Sequence, residues 1–169
     1  MTEAEAVRRV GPSLWRRLGL IVHILLSVGL LGAIASFFSL VLVGMIGSMP
    51  PAAAFGAAER ISTFVIVPAA LVGWAAAVAQ ALATPWGLAK HYWVLVKLAI
   101  TTLAVAVLLA KQPMIQALAA KSADPSQAGA DMRLLSLQLL VHAGVGFSIL
   151  VVPLVLSILK PPGRTGLKF

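Results

Sequence analysis

The stretch LGLIVHILLSVGLLGAIASFFSLVLVGMI, residues 18 to 46, contains no Asp, Glu, Lys or Arg. An α-helix needs about 20 apolar residues to cross a hydrocarbon core of ~30 Å, so this run is long enough to span a bilayer. Working outward, Ile61 to Ala89 and Leu134 to Leu159 are equally free of charge, and Tyr92 to Ala110 carries only Lys97. The pattern predicts four membrane-spanning helices, at about 18–46, 61–84, 92–111 and 134–159. Arg8 to Arg17 before the first run, with the small residues Pro51 to Ala58 after it, superficially resembles a signal peptide. The apolar part of a signal peptide is only about 7–15 residues, however, so the run reads as the first span.

Composition leads to the same class. Of 169 residues, 60% are hydrophobic and 11% charged, a balance that would leave a soluble domain of this size with a largely apolar exterior. The spans occupy most of the chain, so residues 1–169 are expected to form a single domain: an all-α integral membrane four-helix bundle. Cysteine is absent, which excludes disulfides, thiolate metal sites, iron–sulfur clusters and cysteine nucleophiles.

The net charge of +8 is explained by topology rather than by nucleic acid, which is not an expected partner. With the N-terminus in the cytoplasm, Arg8, Arg9, Arg16, Arg17, Lys90, Lys97, Lys160, Arg164 and Lys168 fall inside, and Arg60, Lys111, Lys121 and Arg133 outside. This positive-inside bias predicts that both termini are cytoplasmic, in contact with anionic headgroups of the lipid bilayer. Trp15, Trp86, Tyr92 and Trp93 stand where an inner aromatic belt belongs. Between spans, Gly47 to Glu59 reads as a loop and Pro85 to His91 as a tight turn. Lys111 to Arg133 reads as a long link, in which Pro113 ends or kinks the third helix before a short interfacial helix around Met114 to Ala119.

Helical phase assigns faces. Gln138, His142, Gly146, Ile149, Pro153, Ser157 and Lys160 follow at spacings of three or four on the fourth span; Ile149 is the one large apolar member, and the polar and small remainder is expected to face inward. Ala69, Gly73, Ala76, Ala77, Gln80 and Thr84 form a small-residue stripe with a polar foot on the second. The first span carries His23 and Ser27 on one face and Gly29, Gly32, Ala33 and Ser36 mostly on another. Two buried faces on one helix suggest a homo-oligomer or a membrane partner subunit.

No carboxylate lies in any span, so carboxylate-coupled pumping, paired-carboxylate hydrolysis and hard-metal sites lack their groups. No Ser-His-carboxylate set is readable either, and nothing in the chain calls for an enzyme. Lys97 has two readings: it snorkels to the inner headgroups, or, in phase with Trp93 and Thr101, it receives an anion such as a lipid phosphate, a fatty-acid carboxylate or a haem propionate. Gln80 and His91 belong with it as ligand-binding candidates. His23 and His142 are either neutral imidazoles bonded across helices or ligands of haem b or a metal. Measured from Arg17 and Arg133, their depths differ by roughly 8 Å in a ~30 Å core.

Thr84-Pro-Trp-Gly-Leu, His91-Tyr-Trp-Val-Leu-Val-Lys97-Leu, Val141-His-Ala-Gly144 and Lys160-Pro-Pro-Gly-Arg-Thr165 resemble an uncharacterised family of small bacterial four-span membrane proteins. His23 with Ser27 to Ala33, and Phe64 to Pro68, extend the resemblance over most of the spans, whereas Leu30 stands where the pattern has tryptophan and Val145 where it often has glycine. The resemblance implies a bacterial origin, hence the cytoplasmic membrane, a four-span layout, and attention to His23, Gln80, His91, Lys97 and His142. It brings no activity with it. Three functions remain open: a noncatalytic amphiphile- or lipid-binding protein or accessory subunit, a haem- or metal-binding electron-transfer protein, and a small oligomeric transporter.

Overall fold

A computed structural model describes residues 14–83, 91–124, 126 and 129–159. The chain forms α1 (Leu14–Met45), α2 (Pro51–Ile61), a π-helical turn (Ser62–Ile66), α3 (Val67–Ala83), α4 (Tyr92–Ser122) and α5 (Ala130–Leu159). Among the described residues there is no strand. Because α2, the π turn and α3 run on without a break, they form one rod, and the bundle has four rods, each long and apolar enough to cross a membrane. This is a multi-pass membrane protein built as an all-α four-helix bundle. The rods pack in a ring, with α1 and α4 each flanked by the α2–α3 rod on one side and by α5 on the other.

The α1–α2 connection is much shorter than the loop expected from Gly47 to Glu59. Gly47 adopts a positive φ of 76° and the Ser48 N–H reaches back to the Val43 carbonyl at 3.0 Å, a glycine-ended helix stop. Pro51 then starts α2 at the first helical position, where its missing N–H costs nothing, and the Pro50 carbonyl accepts from Ala53 and Ala54 at 3.0 Å. Residues 51–59 are therefore helix, held by burial of Ala54, Phe55 and Ala58 against the bundle.

The third helix also differs from expectation. Instead of ending at Pro113 and giving way to a separate interfacial helix, α4 continues to Ser122. Pro113 is itself exposed, while Ile115 and Leu118 beyond it are buried in the core, and that packing offsets the hydrogen bond that proline removes. A short turn follows, in which the Asp124 carboxylate accepts from the Ser126 N–H at 3.0 Å and hydroxyl at 2.8 Å.

Packing is uneven along the bundle. Phe37, Val41, Phe55, Ala58, Ile66, Ile115, Leu118 and Leu139 form one tight cluster at the end holding the α1–α2 turn. Gly44 lets α1 and α2 approach there: an added Cβ would stand 2.8 Å from the Ala54 Cβ. Along the outside of the rods, large residues including Leu25, Leu71, Leu82 and Leu134 are exposed, as lipid-facing side chains of a membrane bundle are. Polar side chains also tie the rods to one another. Gln80 Nε2 donates to the Gly19 carbonyl at 2.8 Å, Trp74 Nε1 to Thr102 Oγ1 at 2.9 Å, and the fully buried Ser62 hydroxyl to Gln112 Oε1 at 3.1 Å.

Candidate binding site

The loosely packed half holds a cavity of about 910 Å³, partly open to the outside of the bundle and lined by all four rods. Its walls are mainly apolar, from Leu30 and Ile34 on α1, Ala69 and Ala70 on α3, and Ala104 and Leu108 on α4. One end is polar. There Lys97, Gln80, His23, Trp93 and Thr101 surround a recess of about 190 Å³, which shares Leu20, His23, Ala77, Gln80, Lys97 and Thr101 with the larger space. Further polar groups stand elsewhere along the wall, at Ser62, Lys111 and His142.

Local helix geometry places each group. On α4, residues 93, 97 and 101 succeed one another at four-residue spacing and so share a face. The Thr101 hydroxyl donates to the carbonyls of Lys97 at 2.9 Å and Leu98 at 3.1 Å, leaving its lone pairs for an incoming donor. Gln80 is fixed by its bond to α1, which presents the remainder of the amide to the recess. His23 sits near enough to Lys97 for their charges to interact and has the Gly73 backbone within hydrogen-bonding reach. Its Nδ1 is shielded from solvent and has no hydrogen-bond partner among the described residues. A buried polar atom in that state is destabilising until something bonds to it.

The structure thus brings together Lys97, Gln80, Trp93, Thr101 and His23. His91 stands apart, as the half-buried residue that precedes the first turn of α4. His142 lies elsewhere on the cavity wall, with Nδ1 2.6 Å from the Gln138 carbonyl; that ring nitrogen carries the proton and donates. A Cβ on Gly144 would meet the Phe38 ring at 3.5 Å, and Phe38 lies fifteen residues beyond His23 on α1. Phe38 stands about 22 Å of helix rise from His23, and His142, two residues before Gly144 on a rod running the other way, lies about 3 Å further, so the levels differ by about 25 Å, well over the ~8 Å expected from the sequence. They do not face one another as two axial ligands of one haem. Among the described residues, no group of three or more His, Cys, Asp or Glu is placed to hold a metal ion.

The inward stripe expected on α5 is only partly inward. Pro153 is buried and Gly146 half-buried, whereas Gln138 and His142 are exposed; His142, Gly146 and Pro153 border the cavity, as does Ile149. On α3, Ala69, Gly73, Ala77 and Gln80 all line it. On α1, Gly29, Gly32 and Ser36 are exposed on the outside of the bundle while Ala33 packs against the core. Thr84 to Leu88, Lys90 and the Lys160 to Thr165 segment lie outside the described residues.

Sequence reasoning missed Lys111, which also borders the cavity, and the Ser62–Gln112 bond beside it. A signal for Lys111 was present: it follows Lys97 by fourteen residues, close to four full helical turns, and so repeats on the same face.

No protein-family model, curated protein or solved structure matches the chain.

Proposed function

We propose that this is a noncatalytic membrane protein that binds an anionic amphiphile within its bundle, acting alone or as an accessory subunit. The observation that carries the reading is the cavity of about 910 Å³, apolar along its walls, with Lys97, Gln80 and His23 gathered at one end. An ammonium in a low-dielectric recess favours an anionic head, and the second N–H of the Gln80 amide beside it adds a hydrogen bond that neutral lipid tails do not use. The resemblance described above and the excess of basic residues around the first and last spans support the bacterial cytoplasmic membrane, with both termini inside. The exposed Gly29, Gly32 and Ser36 face supports a homo-oligomer or a partner subunit.

Lys97→Met tests the reading, since methionine keeps the length and removes the charge. Amphiphile that co-purifies with the wild-type protein is expected to fall about 10–100-fold in occupancy, the equivalent of a hydrogen bond to a charged group. Lipid mass spectrometry on folded protein gives the readout. Unchanged occupancy in a folded variant overturns the anion site.

A further inference from the structure

The cavity has a second polar level, away from the recess. Lys97, Thr101, Ala104, Leu108 and Lys111 follow at spacings of four and three on α4 and all line it, so the two lysines share a face about 21 Å apart. Lys111 is half-buried, and its ammonium has neither an ion pair nor a hydrogen bond among the described residues. No Asp or Glu among those residues lines the cavity, and the Glu59 carboxylate, one turn before Ser62, accepts from the Thr63 hydroxyl at 3.0 Å. We infer that Lys111 holds the anionic head of a second lipid, in the leaflet opposite to the one held at Lys97. The inference rests on the amphiphile reading of the Lys97 site.

The spacing assigns the leaflets. Two charges about 21 Å apart in a ~30 Å core, set evenly about the midplane, each lie about 5 Å from their own headgroup region, a gap that a four-carbon stem bridges. One lysine therefore serves each side of the membrane. A charge in apolar surroundings is costly until it is paired, and with no protein carboxylate on the wall the counter-charge comes from the bilayer, as a lipid phosphate or carboxylate. The fully buried Ser62 hydroxyl donates to Gln112 Oε1 at 3.1 Å, which ties the π turn to α4 where Lys111 leaves it. Its one proton is used in that bond, so the lysine charge, and not the hydroxyl, selects the head.

The tails need no room within the bundle. Val28 on α1, Leu103 and Val107 on α4 and Val145 on α5 line the cavity and are also exposed, so its wall is open toward lipid. Each tail passes through that side into its own leaflet, where it meets surroundings as apolar as the cavity. Selection thus falls on the charge of the head and is indifferent to the number and length of the tails.

The experiment uses the full chain in nanodiscs of phosphatidylcholine with phosphatidylglycerol and oleic acid, released into native mass spectrometry. The wild type should retain two anionic lipids, folded Lys111→Met one, folded Lys97→Met one and the double variant none, while Lys111→Arg, which keeps the charge, should retain two. The loss expected above for Lys97→Met then refers to the lipid at Lys97. Phosphatidylcholine retained alike by every variant measures the lipid held without regard to charge, and the kind of anionic lipid retained tells a phosphate head from a carboxylate. Folded Lys111→Met that carries as many anionic lipids as the wild type overturns the inference, and the Lys97 site still stands if Lys97→Met loses its own. A measurement on the wild type serves should Lys111→Met fail to fold: phosphatidylglycerol and a fatty acid with a diazirine next to the head should label the chain around Ser62 and Lys111 as well as around Lys97, and label around Lys97 alone overturns the second site. A wild type that retains no anionic lipid removes the amphiphile reading and this inference with it.

Discussion

Gly44→Ala should destabilise the bundle although alanine is the better helix former. The new Cβ would lie 2.8 Å from the Ala54 Cβ, 2.9 Å from Phe55 Cε1 and 3.1 Å from Phe55 Cζ. Carbon pairs rest at about 3.5–4.0 Å, so α1 and α2 must separate by roughly 0.7 Å or the Phe55 ring must turn in a buried site. The connection between them permits little separation, because Gly47 and Pro50 close it in a tight turn. Overpacking of this kind costs about 1–3 kcal/mol, opposed by about 1 kcal/mol of helix propensity gained on replacing glycine. Gly56→Ala supplies the control: it gains the same propensity on the same hairpin, and nothing lies within 4 Å of its added Cβ. Subtracting one variant from the other cancels the propensity and leaves the steric cost, about 1–3 kcal/mol in favour of Gly56→Ala. Reversible unfolding in mixed micelles titrated with dodecyl sulfate measures both. Equal stability of the two variants would refute the close approach of α1 and α2 at Gly44.

Trp74→Phe removes the bond to Thr102 while keeping an aromatic ring, and should destabilise by about 0.6 kcal/mol, the average for interhelical hydrogen bonds in membranes. The same titration checks it, with Thr102→Val as the partner in a double-mutant cycle; additive effects would mean that the bond contributes nothing. Oxidised and dithionite-reduced spectra of protein from haem-supplied cells should show no bis-histidine haem, given the axial separation of His23 and His142. A stoichiometric Soret band lost in both His23→Ala and His142→Ala would contradict that geometry.

The four spans were legible because uninterrupted apolar runs have no other physical use at these lengths. What was illegible came from tertiary packing. Pro50-Pro51, Gly56 and Glu59-Arg60 look like a loop, and only burial of Phe55 and Ala58 makes the segment helix. The π turn places an additional residue between α2 and α3, so a 3.6-residue phase carried across it is wrong by about 100°. Within the site, Lys97, Gln80 and His23 stood out as polar residues in apolar runs. Their convergence did not, because the hollow between them depends on helix separations that no single-helix pattern encodes. Depths misled for a related reason. Rods of 30 to 32 residues are about 45 Å long, so charged residues near their ends are poor markers of a ~30 Å core, and the histidine levels inferred from Arg17 and Arg133 converged too far.

A bundle clamped at one end behaves as a set of levers. From Ile115 in the clamp to Lys97 at the mouth, α4 runs about 27 Å, so a tilt of about 5° at the clamp displaces the mouth by about 2 Å. The bond from Gln80 to the Gly19 carbonyl ties α3 to α1 at that level and resists such a tilt. By this geometry a small change in the angle at which α1 and α2 meet beside Gly44 is multiplied along the rods toward the level of Lys97.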